Sequence, residues 1–205
     1  MRVGVDRDEL VACARAGDED AWAELYGDHA ERLVVWLSHL PQVDAASDAE
    51  DVAAEAWLTA ARRIADFSGD RHDFAGWLFG IARNVARNRS RNSYRRRTTP
   101  EDPTLSDGRF GRVEDLAHEV VADDAARQLI ARLPEREAQV IACIDVVGLD
   151  VATTRQALGM SAGAVRVAHH RGLRRLRRLL TQAAEQSPLA TSVEPDVTLP
   201  GPQDM

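Results

Sequence analysis

The chain has 205 residues, a formal net charge of −7, 44% apolar residues and 5% aromatic residues. That length fits one ordinary domain or two small ones, and cores built from Ala, Leu, Val and Ile favour an all-α fold. No run of eighteen apolar residues is present, so no membrane span is expected, and the charged start Met1–Asp8 lacks a secretory core, which points to a cytoplasmic protein.

Residues 8–97 read as helices. Trp22, Leu25, Tyr26, His29, Leu33 and Leu37 recur at three- and four-residue steps and form one apolar stripe. Pro41 stops that helix. Ser47 and Glu50 have capping-box spacing, and Val52, Ala53, Ala56, Trp57, Ala60 and Ile64 form a second stripe. The opposite face carries Asp51, Glu55, Leu58 and Arg62. Its carboxylates, with Asp44 and Asp48, are strung out along a helix rather than gathered in a tight loop, which suits protein docking better than a cation. The segment Phe67–Asp73 reads as a loop. A third helix follows, lined by Phe74, Trp77, Leu78, Ile81 and Val85.

The other side of that helix is the most informative surface in the sequence. All 26 basic residues are arginine, and seven lie between Arg83 and Arg97 with no acid among them. Arg83, Arg87, Arg91 and Arg95 form one ridge; Asn84, Asn88 and Asn92 form the next. Guanidinium groups straddle phosphates and amides hydrogen-bond base edges, so this face is a nucleic-acid surface. A merely solvated face would interleave acids to relieve the repulsion.

Residues 98–113 carry Pro and Gly among acids and read as a flexible linker. Helices resume near Glu114 and continue to Leu133, after which Pro134 opens another with Val140, Ile141, Ile144 and Val147 on its apolar side, ended by Gly148. A short helix over Asp150–Leu158, a turn at Gly159-Met160 and a helix begun by Ser161 have helix-turn-helix spacing. The second helix carries Arg166, His169, His170, Arg171, Arg174 and Arg175, within a stretch of six arginines and no acid up to Arg178. Residues 183–205, rich in Pro, Ser, Thr and acids, are expected to be disordered.

Enzyme signatures are missing from the sequence. Cys13 and Cys143 are far apart and lack zinc spacing, so they read as small buried hydrophobes. Adjacent His169 and His170 point to different helix faces, and no phosphate loop or nucleophile set is present. No metal, cofactor or catalytic residue is therefore expected.

These residues resemble the extracytoplasmic-function group of the sigma-70 family over roughly residues 8–182. Three stretches carry the resemblance: Ala21–Tyr26 with Ala49–Leu58; Phe67–Asp70 with Phe74–Asn84; and Leu133–Glu137 through Gly148-Leu149 to Leu158–Arg166. The resemblance implies two small helical domains, region 2 over 8–97 and region 4 over 114–182. Asp51, Glu55 and Leu58 would dock on the β′ clamp helices of RNA polymerase core, and region 4 on the β flap. Phe67, Asp70, Trp77, Arg83, Asn84, Arg87, Asn88 and Arg91 would melt and read the −10 element, with Asn84 at a pocket for a flipped base. Ser161, Arg166, His169, His170, Arg171, Arg174 and Arg175 would read the −35 element of promoter DNA. An anti-sigma protein is a further candidate partner. The chain departs from the family pattern at Ala54, Thr154-Arg155, Val167-Ala168 and Gly172. The rival readings are a helix-turn-helix operator-binding regulator that acts without polymerase core, and a nucleic-acid enzyme. The first has no use for the Arg/Asn face, and the second lacks ligands or a nucleophile.

Overall fold

The computed structural model describes residues 9–40, 46–98 and 117–185, and its elements there are helical. They are α1 (Leu10–Arg15), α2 (Glu19–Ser38), α3 (Ala46–Arg63), α4 (Arg71–Thr98), α5 (Ala117–Ala131), α6 (Glu135–Ile141), α7 (Val151–Leu158) and α8 (Ala162–Glu185). A π-helical turn, Ala142–Val146, extends α6. The linker expected over 98–113 lies, beyond Thr98, outside the described residues. So does the expected tail beyond Glu185, which α8 shortens by three residues.

Local sequence sets the helix starts. Asp18 caps α2 by accepting from the Ala21 N–H at 3.0 Å, with Glu19 and Asp20 in the first turn favouring the positive helix end. Asp70 Oδ1 accepts from the N–H groups of His72 and Asp73 at 2.8 and 2.9 Å. This cap starts α4 at Arg71, so the expected loop ends at Asp70 rather than Asp73. Asp150 caps α7 through the Thr153 N–H at 2.7 Å. Gly159, at φ +61°, takes the left-handed position that ends α7 and makes the turn into α8.

Helices α1 to α4 pack around Leu25, Leu33, Trp36, Leu37, Phe74, Leu78 and Phe79, each fully buried or nearly so. The α2 stripe rotates slightly from expectation. Tyr26 is 56% exposed, while Trp36 takes a core place and its ring lies 5.2 Å from that of Phe79. Trp22 sits at the margin, donating its indole N–H to the Ala14 carbonyl at 2.9 Å.

The second helical unit does not stand apart from the first. One apolar core runs from α1–α4 into Val140, Cys143, Val147, Leu149, Ala157, Leu158 and Val165. Helix α7 lies directly on α4, and the approach is tightest at Gly76. A Cβ at Gly76 would fall 2.3 Å from Gln156 Oε1, and one at Gly80 would sit 3.6 Å from the Ala157 carbonyl oxygen. Polar bonds border the seam. Arg32 donates Nε and Nη2 to the Val147 carbonyl at 3.1 and 2.7 Å, and Arg83 donates Nη1 to the Leu158 carbonyl at 2.8 Å. His72 Nε2 approaches Asp150 Oδ2 at 3.2 Å. A smaller core joins Ile130, Leu133, Ala138 and Ile141 to Leu173, Leu176 and Leu179 of α8.

His29 has the least ordinary place in the core. Both ring nitrogens are buried with no hydrogen-bond partner among the described residues, and the ring lies 5.8 Å from Phe74. Burial lowers its pKa from 6.5 to about 4, against the attraction of Asp28 and with help from Arg32 and Arg71. Above pH 6.5 the ring is neutral in both the folded and unfolded chain. Below that, the unfolded chain takes up a proton that the folded one refuses, so stability falls as pH drops from 6.5 towards 4. The full effect is roughly 3 kcal/mol, and between pH 7 and pH 5 it is about 1–2 kcal/mol. Urea unfolding should therefore show the native chain losing that much more than His29→Phe over this interval. Equal losses in the two proteins would mean that His29 is not a buried neutral ring.

Candidate polymerase- and DNA-binding surfaces

The first surface is the outward face of α3. Asp51, Glu55 and Leu58 are all exposed, Leu58 at 59%, while Ala49, Val52, Ala53, Ala56 and Ala60 fill the inward face. Half-buried Trp57 stacks at a tilt on Tyr26, with ring centroids 5.0 Å apart. Leu58, Trp57 and Tyr26 thus make an apolar patch beside two carboxylates. Those carboxylates are already engaged. Arg89 of α4 places Nη2 2.9 Å from Glu55 Oε2 and Nη1 3.7 Å from Asp51 Oδ2. The arginine stretch on α4 has no acid in its own sequence, yet α3 supplies two across space.

The second surface is α4. Asn84, Asn88 and Arg91 are exposed and Arg87 is half-buried, so the two expected ridges exist side by side. Arg83 differs from its neighbours. Its Nη1 is bonded to the Leu158 carbonyl, and its Nε is buried without a partner among the described residues. Burial, and then the nearby charge of Arg87, holds its pKa below the ordinary arginine value. Phe67 is also covered. It is 5% exposed, with its ring 5.9 Å from Phe74 and 4.8 Å from half-buried Trp77. Asp70 is exposed but serves as the α4 cap. The loop residues thus hold a rigid aromatic corner at the start of the basic helix.

The third surface is α8. Ser161 Oγ accepts from the Ala164 N–H at 3.2 Å, as a helix cap does. Val165 and Ala168 turn inward, at 0% and 8% exposure, and Gly172 abuts α6 so closely that a Cβ there would lie 2.8 Å from Ile141 Cγ1. The departures at 168 and 172 are therefore packing requirements: small residues let α8 approach α6. Arg166, His170, Arg171 and Arg174 are exposed. Two other expected DNA-binding residues have internal partners. His169 Nε2 lies 2.8 Å from Asp145 Oδ2, and Arg175 Nε lies 2.9 Å from Glu137 Oε2, whose side chain is only 10% exposed. These two pairs tie α8 to α6 and its π-helical turn, while the Arg175 side chain stays 49% exposed.

Sequence reasoning missed the seam. Gly76, Gly80 and Gln156 carry it, and only the small-residue spacing of Gly76 and Gly80 on one helix face hinted at a close neighbour. It also missed Cys143 as a seam residue. That thiol is fully buried beside Trp36 and Thr154, and burial pushes its pKa up to about 12. Among the described residues no group of three or more His, Cys, Asp or Glu could hold a metal ion, and no helix is long and apolar enough to cross a membrane.

Known proteins share both halves. Residues 25–97 match Sigma-70 region 2 and residues 129–178 match Sigma-70, region 4. The ECF RNA polymerase sigma factor ShbA of Streptomyces griseus is 34% identical over 185 residues, covering 84% of this chain and 94% of ShbA. The ECF RNA polymerase sigma factor BldN of Streptomyces coelicolor is 30% identical over 177 residues, covering 86% of this chain; the match spans just under two thirds, 66%, of BldN. The solved structure of CnrH in complex with the cytosolic domain of CnrY superposes with a TM-score of 0.63 at 22% identity, over 86% of this chain and 99% of CnrH. It is a likeness of fold.

The Arg89 bridge permits a direct test of the α3 face. The bridge is exposed and contributes little, on the order of 0–1 kcal/mol. Reversing Asp51 and Glu55 to Lys should leave the midpoint of thermal unfolding within a few degrees of the native value. A collapse in stability would show that these carboxylates are needed for folding and are not spare for a partner.

Proposed function

The chain belongs to the extracytoplasmic-function group of the sigma-70 family, and from that premise we propose that it binds RNA polymerase core and directs promoter-specific initiation without itself being an enzyme. The observation that carries this reading is the presence in one chain of two separate arginine-bearing helices. One has amides beside its arginines and the other follows a helix-turn-helix turn. A single strand held open suits the first, because unstacked bases present their hydrogen-bonding edges to Asn84 and Asn88. Duplex DNA suits the second, whose early turns enter the major groove.

Each surface takes one role. The patch of Leu58, Trp57 and Tyr26, rimmed by Asp51 and Glu55, docks on the β′ clamp helices, and region 4 docks on the β flap. Arg87 and Arg91 hold the −10 backbone while Asn84 reads a flipped base and the Phe67–Trp77 corner braces the helix. Arg166, His170 and Arg171 meet −35 base edges, and Arg174 meets phosphate. An anti-sigma protein is a second partner, and the setting is the cytoplasm. No cofactor takes part. The packing of α7 on α4 gives this reading a condition. Arg83 cannot donate to the Leu158 carbonyl and serve the −10 strand together, so Arg83 joins the −10 contacts only once α7 has moved off α4.

Run-off transcription with core polymerase on genomic fragments tests the proposal. Discrete start sites that depend on both this protein and core are expected. Asn84→Ala should weaken holoenzyme binding by about 1–3 kcal/mol at one −10 base position and spare the others. An even loss across all −10 variants would remove the base-reading role. Tight, sequence-specific DNA binding without core would instead support the operator-binding regulator.

A further inference from the structure

Val167 is a large apolar side chain that the fold leaves half exposed. It is 49% exposed on α8, two residues after buried Val165 and one before buried Ala168. Steps of 100° per residue put it almost opposite the line of Val165, Gly172 and Leu176 that faces the core. That outward sector is shared with Gly163, His170 and Arg174, so Val167 is the apolar centre of an otherwise polar face. Beside it runs a shallow groove of about 400 Å³, to which Met160, Ala164 and Ala168 contribute apolar surface and Arg136 and Arg171 contribute charge. Helix α8 carries no acid from Ala162 to Ala184. The acids across the groove are answered within the protein: Glu137 by Arg175 and Glu135 by the Gln139 amide at 3.1 Å.

An apolar group ringed by arginines, early in a helix that enters the major groove, has one complementary feature on duplex DNA. The C5-methyl of thymine is the only apolar group that a base edge presents there. Arg166, Arg171 and Arg174 supply the phosphate and base contacts that bring the groove wall to the helix. Val167 can offer no hydrogen bond, so it cannot read the other edges.

We propose that Val167 is a specificity residue which selects thymine in the −35 element by packing its branched methyl groups on the base's C5-methyl. This rests on the reading of α8 as the −35 helix. Burying one methyl pair should change affinity about fourfold, which corresponds to ~0.8 kcal/mol at ~1.4 kcal/mol per decade.

The test uses holoenzyme built from the full chain and core polymerase. A −35 element is first enriched from promoters randomised in that window. Each thymine in it is then replaced, one at a time, by deoxyuridine, which lacks only the methyl group. The expected result is a loss of about fourfold at one or two positions with the native protein, and no loss at those positions with Val167→Ala. An enriched element without thymine, deoxyuridine tolerated throughout, or a penalty that persists in Val167→Ala would each overturn the inference while leaving α8 as the −35 reader. If no −35 sequence is enriched at all, the reading of α8 fails and the inference falls with it. Val167 is exposed, so the alanine variant should fold normally, and the deoxyuridine arm changes only the DNA.

Discussion

The close packing of α7 on α4, tightest at Gly76, governs the rest of the molecule. A Cβ at Gly76 would overlap the Gln156 side chain, whereas one at Gly80 would make only an ordinary contact with Ala157. Close approach lets the apolar core continue from Trp36 and Phe79 into Cys143, Leu158 and Val165 rather than end at the edge of a four-helix unit. It also brings the Leu158 carbonyl, left open by the end of α7, within reach of the Arg83 guanidinium. A half-buried cation and the helix-end carbonyl thus satisfy one another. The consequence for function is steric. On the proposed function the conflict is confined to Arg83, which α7 occupies, while Asn84, Asn88 and Arg91 of the same helix stay exposed.

Electrostatics then sorts the arginines into two groups. Arg71, Arg89 and Arg175 meet carboxylates that come from other helices, namely Glu24 and Asp28, Asp51 and Glu55, and Glu137. They hold helices together. Arg91, Arg166, Arg171 and Arg174 are exposed, with no acid within salt-bridge distance among the described residues, and can meet phosphate. An acidic chain can therefore carry two local basic faces, with its overall charge of −7 discouraging binding to DNA at large.

The helices were legible from periodicity, because buried stripes such as Val52, Ala56 and Ala60 repeat with the helical turn. The cap at Ser161 and the turn at Gly159 were equally plain, since short-range geometry decides them, whereas Asp150, read as the first residue of its helix, is the cap before it. What the sequence hid is tertiary. Arg83, Arg87 and Arg91 look identical along one ridge, yet only Arg83 lies under α7. His169 and Arg175 look like their neighbours along α8, and only the fold shows that Asp145 and Glu137, more than twenty positions away, lie beside them. Phe67 reads as an exposed loop aromatic, and its burial depends on Phe74 and Trp77 folding back against it. Gly172 reads as a defect in a helix and is a contact point, because the cost of glycine there is offset by the approach of Ile141.

The proposal that α7 leaves α4 and frees Arg83 when the promoter is read can be measured at Cys143. This thiol lies in the seam, fully buried and with its pKa raised to about 12, so little thiolate forms near neutral pH. In a Cys13→Ser background it is the only thiol in the chain. Its alkylation rate at pH 8 should be low in the free protein and should rise at least tenfold, as an order-of-magnitude estimate, when core polymerase or an open promoter complex separates α7 from α4. Continued protection of Cys143 in a holoenzyme that initiates transcription would contradict the account, since α7 would then still hold Arg83 while the promoter is read.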